Sequence, residues 1–177
     1  MLAISKKPRR KQQGFTLIEM MIAILVILVG LVAVAQLVAA SIFLNTANRE
    51  DSTAMVMAQN EINQFAAQPL STFSYTDTYT PSHTCTLGSS GTVNAWVGSP
   101  LATSGDNRQV IDFTQAAVNG YNFTMADPND PYNANYEVRW AVYTFSGTSG
   151  KRFIVGVRRQ GGNRPLLPVN LDTLVQK

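Results

Sequence analysis

The chain is poor in the residues that do chemistry. Among its 177 residues stand one histidine, His83, and one cysteine, Cys85. A lone cysteine excludes an intramolecular disulfide. A histidine-rich metal site or a Ser/His/Asp relay would have to be built around His83, whose setting TPSHTC offers no second ligand beyond Cys85. Cys85 could form an intermolecular bridge, against the bland reading of an inert thiol. No Gly-rich phosphate loop and no acid/base pair stand out, so no catalytic, cofactor-binding or metal-binding residue is assigned and an enzyme is not expected. Positive charge is also missing where it would count. Residues 71 to 107 contain no Lys or Arg, and 19 of these 37 are Ser, Thr or Gly, which predicts surface loops with at most short strands, such as around Val93 to Val97.

The formal charge of +3 and pI of about 9.2 are unevenly placed. Residues 1 to 14 carry five basic side chains (Lys6, Lys7, Arg9, Arg10, Lys11) and no acid, while the remainder holds nine basic and eleven acidic residues. Without the first 14 residues the chain is formally −2. No specific nucleic-acid binding is inferred from the basic total.

Charge is absent again from Met20 to Asn48, 29 consecutive residues rich in Leu, Ile, Val and Ala and free of proline. A bilayer core of about 30 Å needs about 20 apolar residues as a helix, so the run is long enough to span. The upstream basic residues place the N-terminus in the cytoplasm. One acid breaks the apolar character at its start, Glu19 in GFTLIEMMI. Three readings compete. An ordinary signal peptide would be cut after Ala33-Val34-Ala35, leaving Gln36 first, but its apolar run of 16 residues from Met20 exceeds the usual span of about 7 to 15. A permanent anchor fits the length and leaves Glu19 unexplained. The third reading gives Glu19 a task, because an ionisable residue in such a segment usually has a partner and a function.

The stretch KQQGFTLIEMMIAILVILVGLVAVAQL resembles the N-terminus of type IV pilins and of the pseudopilins of type II secretion systems. Its core is Gly14, Phe15, Thr16, Leu17, Ile18 and Glu19 behind a short basic leader. The resemblance implies that a prepilin peptidase cuts between Gly14 and Phe15 and methylates the new Phe15 amine. It also implies that Glu19, about 6 Å further along a helix, pairs with the N-terminal amine of a neighbouring subunit during assembly. A bare glycine beside the scissile bond lets the peptidase approach the backbone. The expected partners are that peptidase/methylase, other pilin subunits, an inner-membrane assembly platform, and membrane lipid before assembly. The expected location is a single-pass inner-membrane state, then an extracellular or periplasmic filament. Major pilins often carry proline at the position held here by Gln36, so a proline kink is not expected. Gly30 would permit close helix packing.

The helical pattern continues past the apolar run. Ala47, Ala54, Met55, Ala58, Ile62, Phe65 and Ala66 recur at helical spacing, with Arg49, Glu50, Asp51 and Glu61 largely elsewhere. Pro69 disfavours helix at Gln68, predicting an end at 67 to 69. A helix from Phe15 to Ala67 would be about 80 Å long. Strands are predicted at Tyr121–Met125, Tyr136–Phe145, Lys151–Arg159 and near Leu166–Val175, with SGTSG, Ser146–Gly150, as a hairpin connection. The fold class expected is α+β: a long N-terminal helix, its first half transmembrane, packed on a C-terminal antiparallel sheet of three or four strands in a pilin-like roll. The corresponding division is a leader at 1–14, an assembly helix at 15–45, an amphipathic helix half at 46–68 and a β-rich head at 69–177.

Trp140 and Trp96 could be ligand platforms, and Trp140, lying in a strand, reads as core. Asp127, Asn129 and Asp130 offer oxygen ligands that could bind calcium, against the reading of a proline-bounded turn. Asn122-Phe123-Thr124 matches a glycosylation sequon inside a predicted strand. Tyr136, Val138, Trp140 and Val142, followed by Lys151, Arg152, Val155 and Val157, resemble the strand pair of V-type minor pilins and I-type pseudopilins. The absence of a C-terminal cysteine pair also departs from disulfide-looped major pilins.

Overall fold

The computed structural model describes residues 14–127, 134–146, 150–161 and 167–177. The chain divides into two compact units, Met1–Thr46 and Ala47–Lys177. The elements are α1 (Leu17–Ala67), β1 (Ser74–Thr76), β2 (Thr84–Thr86), β3 (Trp96–Gly98), β4 (Leu101–Thr103), β5 (Gln109–Ile111), β6 (Asn122–Ala126), β7 (Asn135–Thr144), β8 (Gly150–Arg159) and β9 (Val169–Gln176). The fold class is α+β, as the sequence predicts.

Helix α1 begins two residues later than expected because Thr16 stands outside it as a cap. It ends at Ala67, where the Gln68 N–H reaches the Phe65 carbonyl at 3.2 Å, a tightened last turn before Pro69. In the second unit its buried stripe is Ala54, Met57, Ala58, Glu61, Ile62 and Phe65, spaced three and four apart. Two expectations are corrected here. Met55 is 46% exposed, and Met57, three residues after Ala54, packs in its place. Glu50 and Glu61 lie on the buried side of the helix, not elsewhere on it.

Strands β3, β7, β8 and β9 are neighbours in that order, and β6 pairs with β7 as well. The sheet has five strands, all antiparallel. The sequence predicts three or four, since β3 is only three residues long and too brief to signal by alternation. Pairs β1–β2 and β4–β5 form two small sheets of their own. The β7–β8 register sets Val138 opposite Val157, Trp140 opposite Val155 and Val142 opposite Phe153, so one face presents a continuous apolar surface to the helix stripe. Phe65 meets Trp140 with ring centroids 5.3 Å apart and Phe153 at 5.4 Å. The Trp140 indole N–H donates to the Thr86 carbonyl at 2.8 Å, so its one polar atom is satisfied in the core. Trp96 is half-buried, edge-on to Tyr143.

The opposite face is also covered. Ile111 and Phe113 pack on Ala141 and Ile154 there. Beside them Glu137 accepts from Arg139 Nε at 2.7 Å and from an Arg158 amino nitrogen at 3.0 Å, while the Phe113 ring lies 5.0 and 4.8 Å from the two guanidinium carbons. Burial opposes ionisation of Glu137, but the two guanidiniums outweigh it and hold the carboxyl below its ordinary range. A sheet buried on both faces leaves little room between layers. A Cβ at Gly156 would lie 2.8 Å from Ile111 Cβ and 2.9 Å from Asn170 Oδ1. Gly156→Ala is therefore expected to cost about 1–3 kcal/mol through overpacking, read as a lowered urea midpoint at unchanged slope.

Candidate functional site

The N-terminal unit puts its candidate residues in the open. Gly14 has nothing within 4 Å of the place where a Cβ would stand, and Phe15 is 79% exposed. Thr16 is the N-cap of α1. Its hydroxyl oxygen accepts the Glu19 backbone N–H at 3.3 Å, and its carbonyl accepts the Met20 N–H at 3.2 Å. Thr-x-x-Glu is the capping-box pattern, so one of the four unpaired N–H groups of the first turn is satisfied by a side chain. A capping role for Thr16 is not among the sequence expectations, although its spacing to Glu19 is visible in FTLIE.

Glu19 occupies the first turn of α1, where the helix dipole favours an acid. Its side chain is exposed, and its carboxylate accepts no hydrogen bond among the described residues. Past it the helix is apolar all the way round. Leu25, Val26, Ile27 and Leu28 are consecutive, point in four directions and are each more than half exposed. An 18-residue window of the helix has a mean hydropathy of 3.0 and none of it is buried. A helix with no polar face needs lipid or other apolar helices around it. Gly30 leaves a shallow place on that surface, with nothing within 4 Å of its would-be Cβ.

The other sequence candidates disperse. His83 Nδ1 lies 2.7 Å from Asp77 Oδ2, and its ring stacks on Phe123 at 4.3 Å. Cys85 is fully buried in the main core. No group of three or more His, Cys, Asp or Glu suited to a metal ion occurs among the described residues. Asn129 and Asp130 lie outside the described residues, as do 147–149 of the expected hairpin connection and Leu166. Asp127 is buried and accepts from the Thr53 hydroxyl at 3.4 Å. Asn122 is half-buried at the start of β6, paired with Arg139 of β7.

The model of the family described as Prokaryotic N-terminal methylation motif matches residues 9–35. The match takes in Gly14, Phe15, Thr16 and Glu19 and the first half of the apolar run. No curated protein and no solved structure matches the chain.

Proposed function

We propose that this chain is a minor type IV pilin, a structural subunit that prepilin peptidase cuts between Gly14 and Phe15 and methylates at Phe15. It is assembled through α1 and stands at a priming or tip position. The observation that carries this reading is the methylation motif over residues 9–35, set at the head of a helix whose apolar surface is uncovered. The motif supports a type IV pilin-like or pseudopilin subunit, held by its helix in the membrane and later assembled with other pilins. The minor-pilin assignment rests on less: the Tyr136-x-Val138-x-Trp140-x-Val142 strand followed by the basic Lys151-Arg152 strand, and the absence of a cysteine pair. A type II secretion pseudopilin is the alternative that the same motif supports. The domain division at 14/15, 45/46 and 68/69 belongs to this proposal.

Glu19 is the assembly residue in this reading. An unpaired carboxylate in hydrocarbon costs several kcal/mol. The Phe15 amine of a neighbouring subunit would satisfy it and fix the axial stagger between helices. The isolated chain leaves the carboxylate without a partner among the described residues, which fits a group that waits for another molecule.

The test is the N-terminal residue and intact mass of the native protein. A chain beginning at Phe15 and heavier by one methyl group is the expected result. A chain beginning at Gln36 would mean an ordinary signal peptide, and the filament reading would fall with it.

A further inference from the structure

Helix α1 carries four carboxyls, Glu19, Glu50, Asp51 and Glu61, and assembly gives the last of them no task. Glu61 is completely buried in the second unit, between Ala58, Ile62 and Phe65 of its own stripe. The Tyr75 hydroxyl donates to Oε1 at 3.1 Å, and the Cys85 thiol approaches the same oxygen at 3.8 Å. Oε2 has no hydrogen-bond partner. A buried polar atom left unpaired is rare enough in folded proteins to need a reason.

Among the described residues, the titratable groups that act on Glu61 come from one arm, the β1–β2 pair with its connecting loop, Ser74–Thr86. Tyr75 comes from β1, Asp77 and Tyr79 from the loop, and Cys85 from β2. None of them is a cation. His83 is turned to Asp77, and Lys151 of β8 gives its ammonium to the carbonyls of Thr72 and Leu87. The Gln64 side chain, one turn along α1, accepts the Thr78 N–H at 3.1 Å and so ties the loop to the helix without charge. A neutral Glu61 accepts from Tyr75 through Oε1 and leaves Oε2 a hydroxyl with no acceptor, a smaller penalty than a buried charge. An ionised Glu61 would be a buried anion beside Asp77 with two weak donors and no counter-ion.

We propose that Glu61 is a proton-operated latch: its neutral carboxyl lets the Ser74–Thr86 arm lie on α1, and loss of the proton releases the arm to let water reach the carboxylate. The inference stands on the head alone and does not depend on the filament reading. Burial, and after it the charge of Asp77, pushes the docked carboxyl from 4.5 up to about 7. Burial and the Glu61 charge likewise push the Tyr75 phenol and the Cys85 thiol upward, so both remain protonated donors through neutral pH. The docked state holds the proton more tightly than the released state. The latch is therefore fully closed below pH 4.5, weakens as pH rises from there to about 7, and weakens no further above that. Release uncovers the edge of Phe65, against which Tyr75 packs with ring centroids 6.0 Å apart.

Amide hydrogen exchange on the full chain in a lipid nanodisc, corrected for intrinsic rates, tests this. Between about pH 5.5 and about pH 8.5, exchange confined to 74–86 is expected to rise by about thirtyfold. The rise should vanish in Glu61→Gln and persist in His83→Asn. An arm that exchanges equally at both pH values overturns the latch. So does a rise that survives Glu61→Gln, or one lost in His83→Asn alone, which would assign it to the Asp77–His83 pair. Should Glu61→Gln fail to fold, the infrared carbonyl band of a protonated carboxyl decides in the unaltered chain. Its presence at about pH 6 with loss by about pH 8.5 supports the latch, and its absence at about pH 6 overturns it.

Discussion

A Glu19→Ala chain is expected to enter the membrane normally and yet appear in filaments at about a tenth of the normal amount or less. A tenfold loss corresponds to about 1.4 kcal/mol, well below the cost of leaving a carboxylate or amine unpaired in hydrocarbon. The apolar run from Met20 onward is untouched, so insertion has no reason to fail. Two physical roles compete for this side chain, and Glu19→Gln separates them. Glutamine suits the third position of a capping box as well as glutamate does, so it leaves the helix start as it is and removes the charge. If charge pairing with the neighbouring amine is the role, Glu19→Gln fails as badly as Glu19→Ala. Assembly by Glu19→Gln at the ordinary level would make Glu19 a helix-starting residue. Undiminished incorporation of Glu19→Ala, scored by quantitative blotting of sheared filaments, would remove it from assembly altogether.

Phe65→Ala is expected to destabilise the head by about 3–5 kcal/mol, the range for deleting a buried aromatic ring. The ring is 1% exposed and touches three others, Tyr75, Trp140 and Phe153, so its removal opens a cavity bounded by the helix and the sheet together. Set against a usual total of about 5–15 kcal/mol, that is a large fraction. Urea unfolding followed by tryptophan fluorescence would show it, because Trp140 borders the cavity directly. Val56→Ala on the same helix supplies the comparison. Val56 is 58% exposed, and its truncation should stay within about 0.5 kcal/mol. A loss below about 1 kcal/mol for Phe65→Ala would mean that the helix stripe contributes little to holding the sheet.

The parts of the molecule that were legible in the sequence are those whose causes are local. The apolar run, the proline after Gln68 and the alternation in YEVRWAVYTF and KRFIVGVRR each state their structure within about ten residues. Met57 replaces Met55 in the core because helical position, set to within 100°, depends on where the sheet meets the helix, and that is not a local property. Glu50 and Glu61 were misplaced for a related reason. A charge on a helix reads as solvated until its compensation is seen, and the compensation lies far off: Arg159 is 109 positions from Glu50, and Tyr75 is 14 from Glu61. Cys85 sits in a strand of three residues, too short to announce which side faces inward. The second sheet face is covered by Ile111 and Phe113 from a stretch of weak periodicity, and only the fold brings them over Ala141 and Ile154. At the candidate site the charge of Glu19 is conspicuous in an apolar run, whereas the cap formed by Thr16 is signalled only by a spacing of three residues in FTLIE.

The separation between the helix stripe and its covering strands also sets an order of events. Ala54 to Phe65 are synthesised early, while Tyr136 to Val157, which bury them, are synthesised late. The contacts that join them span long loops, and their closure entropy is incurred before any burial offsets it. Local pairing cannot relieve this, since β7 and β8 can zip together through their own register and still leave the stripe bare. A nascent chain thus carries an apolar ridge covered at most by the Ser74–Thr86 arm until the last third of the protein is synthesised, and only then can the sheet close over it.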